Sequence, residues 1–227
     1  MLEFLRRIYH THRFFANQLL YPLLLSSAVA GALFAGRVYL SHSRSYIFLN
    51  WNLFLAWIPY GCGLWAAYLQ REQPGRWWLL LLPAAIWAIF FPNAPYLITD
   101  FVHLKERAPI SFWYDLGMLA TFAWTGCLLA IVSLNTMQSL VQNYLGRIAG
   151  WAFAGAMLGA GGLGVYIGRI LRWNSWDLVF QPRIVLLDVA EQMLNNQLRT
   201  FGFAFIFSAL LFACYWTFTS LQKREQV

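Results

Sequence analysis

The charges in this chain stand far apart. Neutral stretches run from Arg13 to Arg37, Arg44 to Arg71, Arg76 to Asp100, Asp115 to Arg147, Arg147 to Arg169 and Arg199 to Lys223. A helix rises about 1.5 Å per residue, so about 20 apolar residues cross a hydrocarbon layer about 30 Å thick. Each stretch is long enough to do so. The pattern predicts an all-α integral membrane protein, a bundle of about six transmembrane helices over 18–36, 46–69, 77–97, 114–135, 148–168 and 201–220. Trp51, Trp77, Trp78, Trp113, Tyr114 and Trp151 fall near predicted ends, where amphipathic rings prefer the membrane interface.

Composition removes the soluble alternative. Of the 227 residues, 60% are hydrophobic and only 11% charged, whereas a soluble domain carries about a quarter charged residues. The net charge of +7 does not imply nucleic-acid binding, because the basic residues flank apolar runs. Arg6, Arg7 and Arg13 precede the first, and Lys223 and Arg224 follow the last, as at lipid headgroups. Cys62, Cys127 and Cys214 each lie inside an apolar run, which suggests neither a disulfide framework nor a thiolate metal site. The first neutral stretch is too long for a cleaved secretory signal, so it is expected to remain as a helix.

Loops assigned to the two sides each carry eight Lys and Arg. The three Arg before the first span favour both termini on the cytoplasmic side. Between the fifth and sixth spans, Ile184, Leu187, Ala190, Leu194 and Leu198 form one stripe, and Asp188, Glu191, Gln192, Asn195 and Arg199 another. This spacing predicts an interfacial amphipathic helix over 184–199. No linker or repeat divides residues 1–227, which are expected to form a single membrane domain. In the fifth span, Gly155 with Gly159 and Gly164 with Gly168 make small-xxx-small pairs that allow close helix approach.

The polar residues concentrate in a few places. Phe91-Pro92-Asn93-Ala94-Pro95-Tyr96 ends the third span, and two prolines three residues apart cannot both sit in an undisturbed helix. A break is expected, with Asn93 supplying an amide to the freed backbone. If helix resumes, Asp100 and His103 share a face and converge on each other or on a divalent metal; otherwise Asp100 caps a turn. Asp115 opens the fourth span, either compensating a helix dipole or facing the same cavity. At the end of the fifth span come Gly168-Arg169-Ile170-Leu171-Arg172-Trp173-Asn174-Ser175-Trp176-Asp177. Arg169 and Arg172 are expected on one face, either holding an anion or snorkelling to headgroups. Loops three and five emerge on the same side, so Asp100, His103, Asp115, Arg169, Arg172, Asn174 and Asp177 can meet. A structural ion pair, Asp100 or Asp115 with Arg169, would also explain them.

The Phe-Pro-Asn-Ala-Pro-Tyr segment with Asp100 and His103, Trp-Tyr-Asp at 113–115, and Gly-Arg-x-x-Arg-Trp-Asn-Ser-Trp-Asp at 168–177 resemble the DUF1361 family over roughly residues 45–220. The resemblance implies a multi-spanning protein of a bacterial inner membrane and brings no activity. Two functions remain open. One is a metal-assisted hydrolase or transferase acting on a lipid-linked or anionic substrate. In it Asp100, His103, Asp115 or Asp177 would bind the metal or act as acid and base, while Asn93, Arg169, Arg172, Asn174 and Trp176 hold substrate. The other is a non-catalytic carrier or assembly partner, as a homo-oligomer or with another membrane protein, using the same cluster.

Overall fold

The computed structural model describes residue 9, residues 12–106 and residues 108–224. Arg6 and Arg7, and the side chains of Lys223 and Arg224, lie outside what is described. Residues 12–17 are helical, and after them come, in order, α1 (Leu20–Ser41), α2 (Phe48–Glu72), a 3-10 turn (Trp77–Leu80), α3 (Leu81–Phe90), α4 (Asn93–Tyr96), a 3-10 segment (Leu97–His103), α5 (Phe112–Tyr166), a π turn (Ile167–Leu171), α6 (Asp177–Phe180), α7 (Pro182–Asn195) and α8 (Gln197–Arg224). No strand occurs among the described residues. Among the described residues, four segments are long and apolar enough to cross a membrane: Leu20–Ser41, Trp77–His103, Phe112–Leu171 and Gln197–Gln222. The all-helical membrane architecture stands on these.

α2 is long enough as well, but Trp51, Trp57, Tyr60, Trp65 and Tyr68, with Asn50 and Asn52, dilute its aliphatic character. α5 is broken at Gly146, whose backbone (φ 86°, ψ 170°) is closed to helix and reached at little cost only without a Cβ. A Cβ on Gly150 would meet the side chain of Gln142. In a straight helix residues eight apart are separated by about 12 Å, so the chain reverses at Gly146. The core is shared by all the long helices: Leu23 and Ala30 from α1, Leu49 and Ala56 from α2, Trp87 from α3, Met118, Phe122 and Leu129 from α5, and Tyr215 from α8.

The proline break is present and has a clear hydrogen-bond logic. Pro95 has no N–H to offer the Phe91 carbonyl, which takes the Ala94 N–H instead at 3.2 Å. That diverts Ala94 from Phe90, whose carbonyl accepts from Asn93 Nδ2 at 3.0 Å. The broken segment is seated against glycine. A Cβ on Gly164 would strike the Pro92 ring, and one on Gly168 would lie 3.1 Å from Tyr96 Cε2. The pair Gly155 and Gly159 does not behave this way; both are exposed, with no atom within 4 Å of an added Cβ. The amphipathic helix also differs from expectation. It spans Pro182–Asn195 and stops at Asn196 (φ −127°, ψ 44°), so Leu198 and Arg199 belong to α8.

Candidate functional site

The 3-10 character of Leu97–His103 places the site residues. At about three residues per turn, side chains at i and i+3 eclipse, so Tyr96 with Thr99, and Asp100 with His103, form adjacent columns. All four face Arg169. Its Nη2 lies 2.5 Å from Asp100 Oδ1, its Nε donates to Thr99 Oγ1 at 2.8 Å, and its Nη1 lies 3.1 Å from His103 Nε2. The guanidinium carbon sits 4.4 Å from the centroid of the Tyr96 ring. Since a guanidinium has no acceptor, the His103 contact requires a bare Nε2 and a hydrogen on Nδ1. Asp100 is buried, and Asn52 Nδ2 on α2 donates to its Oδ2 at 2.9 Å. Both carboxylate oxygens are thus engaged.

Asp115 belongs to a different pair. Its Oδ1 accepts from Arg37 Nε at 2.6 Å and its Oδ2 from Arg37 Nη2 at 3.2 Å, a bidentate contact between α1 and α5 with both residues buried. Tyr46 joins the pairs: the Arg37 guanidinium lies 4.5 Å from its ring centroid, and its hydroxyl donates to the His103 carbonyl at 3.1 Å.

Arg172 does not share the face of Arg169. The π turn over Ile167–Leu171 shifts the helix phase, and Arg172 closes it in the left-handed region (φ 62°) with an exposed side chain. Asp177 is engaged locally, accepting from Asn174 N at 2.8 Å and Asn174 Nδ2 at 3.2 Å, while its own N–H donates to the Asn174 carbonyl at 3.0 Å. Trp176 packs near Trp51, with ring centroids 6.5 Å apart. Asn93 is fully used on its donor side, reaching Ser175 Oγ at 2.7 Å in addition to the Phe90 carbonyl.

Between α2, the proline break and the 173–178 loop lies a cleft of about 150 Å³. Its polar surface comes from Asn52, Asn93, Tyr96, Asn174 and Ser175, and its aromatic walls from Trp51 and Trp173. Among the described residues, no acidic, basic, histidine or cysteine side chain lines it. Arg169 stands one layer behind, on the far side of contacts made through Tyr96 and Asp100.

A resident divalent metal does not fit this arrangement. The Arg169 guanidinium already lies between Asp100 and His103, where a metal held by both would have to sit. Among the described residues no group of three His, Cys, Asp or Glu side chains is placed to hold a metal ion. Of the participants, Arg37, Tyr46, Asn52, Tyr96, Thr99 and Ser175 were not singled out from the sequence. An amide and an arginine inside otherwise neutral helices, Asn52 and Arg37, were the available signal.

Residues 51–214 match the family described as "Protein of unknown function (DUF1361)", and the chain belongs to it. The matched region contains the proline break, the Asp100–Arg169 pair and the whole cleft. No curated protein and no solved structure matches the chain.

Proposed function

We propose that this member of the DUF1361 family crosses the bilayer six times and binds, without chemical conversion, the polar group of a membrane-resident molecule in the cleft beside Arg169. Six spans follow from counting α2 as a span and α5 as two, over 112–145 and 147–166, joined by the reversal at Gly146. α7 exposes Ile184, Leu186, Leu187 and Leu194, which suits a helix lying in the headgroup layer.

The positions of the basic residues favour an orientation. Of the eight Lys and Arg assigned to the outer side, Arg37 and Arg169 are neutralised in ion pairs within the bundle. Eight minus two leaves six, against eight on the side of the termini. The positive-inside rule then puts both termini in the cytoplasm and the cleft at the outer face of a bacterial inner membrane. Alkylation of single cysteines tests this in a background without Cys62, Cys127 and Cys214. Ser43→Cys and Lys105→Cys should react with an impermeant maleimide in intact cells, and Glu72→Cys and Asn143→Cys only after lysis. Any exchange between the two sets rejects the topology.

The binding reading is carried by one observation: both oxygens of Asp100 are occupied, by Arg169 and by Asn52. The acid expected to act in catalysis instead fixes a guanidinium behind the cleft wall and the Asn52 amide within it. A general base needs a free lone pair within hydrogen-bond reach of its substrate, and no carboxylate or imidazole lines the cleft. The proline break supplies irregular backbone beside a polar cavity at membrane depth, a setting in which carriers place ligands. The test is mass spectrometry of small molecules that co-purify in lipid nanodiscs. A species retained by the wild type and lost in Asn93→Leu is expected. Conversion of a membrane-lipid extract by the wild type but not by Arg169→Ala would instead establish catalysis.

A further inference from the structure

We propose that the group taken by this cleft is a neutral, hydroxyl-bearing ring, the sugar-like head of an amphiphile; this rests on the binding reading above. The orientation of two amides leads there. Asn52 spends its Nδ2 on a carboxylate and Asn93 on the Phe90 carbonyl, partners that only accept. Neither amide can be turned round without placing oxygen against oxygen. The ends left over are therefore the two Oδ1 atoms, which carry no hydrogen bond among the described residues and are not buried. Ser175 Oγ accepts from Asn93 at 2.7 Å, so its own hydrogen is left to donate. Trp173 directs its Nε1 to Asp188 at 2.6 Å and keeps its ring for the cleft.

The amide oxygens of Asn52, Asn93 and Asn174 and the hydroxyls of Ser175 and Tyr96 suit hydroxyl groups, which both give and receive hydrogen bonds. An anion would meet these carbonyl oxygens. A cation would enter a wall that has no carboxylate, with the Arg169 guanidinium 4.4 Å behind the Tyr96 ring. The aromatic surfaces of Trp51, Trp173 and Tyr96 match the C–H face of a ring, apolar on its flat side and polar at its rim. A cavity of about 150 Å³ is the size that accepts a single six-membered ring. Trp51 and Phe54 carry apolar surface outward from this edge, both exposed and with centroids 5.5 Å apart, where an alkyl chain would lie.

The test is equilibrium binding of radiolabelled hexyl glucoside, hexylammonium and hexyl phosphate to the full chain in phosphatidylcholine nanodiscs, with empty discs subtracted. Hexyl glucoside should bind saturably. Ser175→Ala leaves the backbone of the broken helix untouched and should weaken it about threefold to tenfold, the worth of one hydrogen bond. Asn93→Leu should weaken it further. Unchanged affinity in Ser175→Ala overturns the proposal. Saturable binding of hexylammonium or hexyl phosphate in preference to the glucoside, lost in Asn93→Leu, overturns the ligand class while the binding reading stands. Absence of saturable binding by all three, in protein that melts normally, overturns both.

Discussion

Two ion pairs tie this bundle together, and they differ in how completely they are closed. In Arg37–Asp115 the two side chains expose 2% and 1% of their surface. In Arg169–Asp100 the aspartate side chain is equally sealed, at 1%, but the arginine side chain retains 16%. The closed pair turns everything inward: a bidentate fork, the Tyr46 ring, and Ser41 at 3.5 Å. The open pair keeps one edge accessible, where Arg169 meets the exposed His103. A buried carboxylate in this chain is therefore not in itself a mark of function. Access to its partner is the feature that separates a fastening from a site.

The closed pair gives the largest expected effect. Desolvation offsets most of the attraction in a buried pair, but removing one partner strands the other charge. Asp115→Ala should cost about 3–5 kcal/mol, read as a lower thermal midpoint in detergent, and leave ligand binding intact in the folded fraction. Arg37→Met with Asp115→Leu should recover most of that loss. A double variant no more stable than Asp115→Ala would show that the site needs charge rather than volume.

Arg169→Ala should cost less, about 1–3 kcal/mol, because Asp100 keeps the Asn52 amide and the partly exposed position of Arg169 lets water in. Retention of cleft ligand should fall with it. Arg169→Lys keeps the charge but cannot hold Thr99, His103 and Asp100 at once, so it should preserve much of the stability and little of the binding. Equal melting losses for Asp115→Ala and Arg169→Ala would erase the distinction between the two pairs.

The helices and the meeting of the two polar segments were legible because charge spacing and loop parity are properties of the chain alone. The neutral runs mark the bundle, and the shared side of the Asp100 and Arg169 loops follows from their order. What was not legible depended on helix phase. Asp115 reads either as compensating a helix dipole or as facing the cavity of Asp100, but it pairs with Arg37 one turn from the end of α1, a position that in the sequence only marks the edge of a neutral run. Arg172 was expected beside Arg169 on a regular helix, and the π turn moved it away. The metal reading of Asp100 and His103 treated their convergence as the site, whereas a cationic side chain already fills it. Asn52 carried no local signal beyond being an amide in an apolar run, and its role is set entirely by what packs opposite.

The glycines in the second half of α5 extend the comparison to packing, at the smallest scale. Gly155 and Gly159 repeat the spacing of Gly164 and Gly168, yet only the second pair meets the broken helix. Gly164→Ala should push Pro92 and with it the Asn93 wall of the cleft, costing about 1–3 kcal/mol as overpacking. Its effect on ligand retention should exceed its effect on melting, because a small shift of Asn93 separates it from Ser175 while the core beneath is unchanged. Gly155→Ala meets open space and should be neutral, or stabilising by at most about 1 kcal/mol from helix propensity. Melting and ligand retention measured on both variants separate spacing from contact. If Gly155→Ala lost stability as Gly164→Ala does, this exposed face of α5 would be packed against a partner in the membrane, and its glycines would serve assembly rather than the cleft.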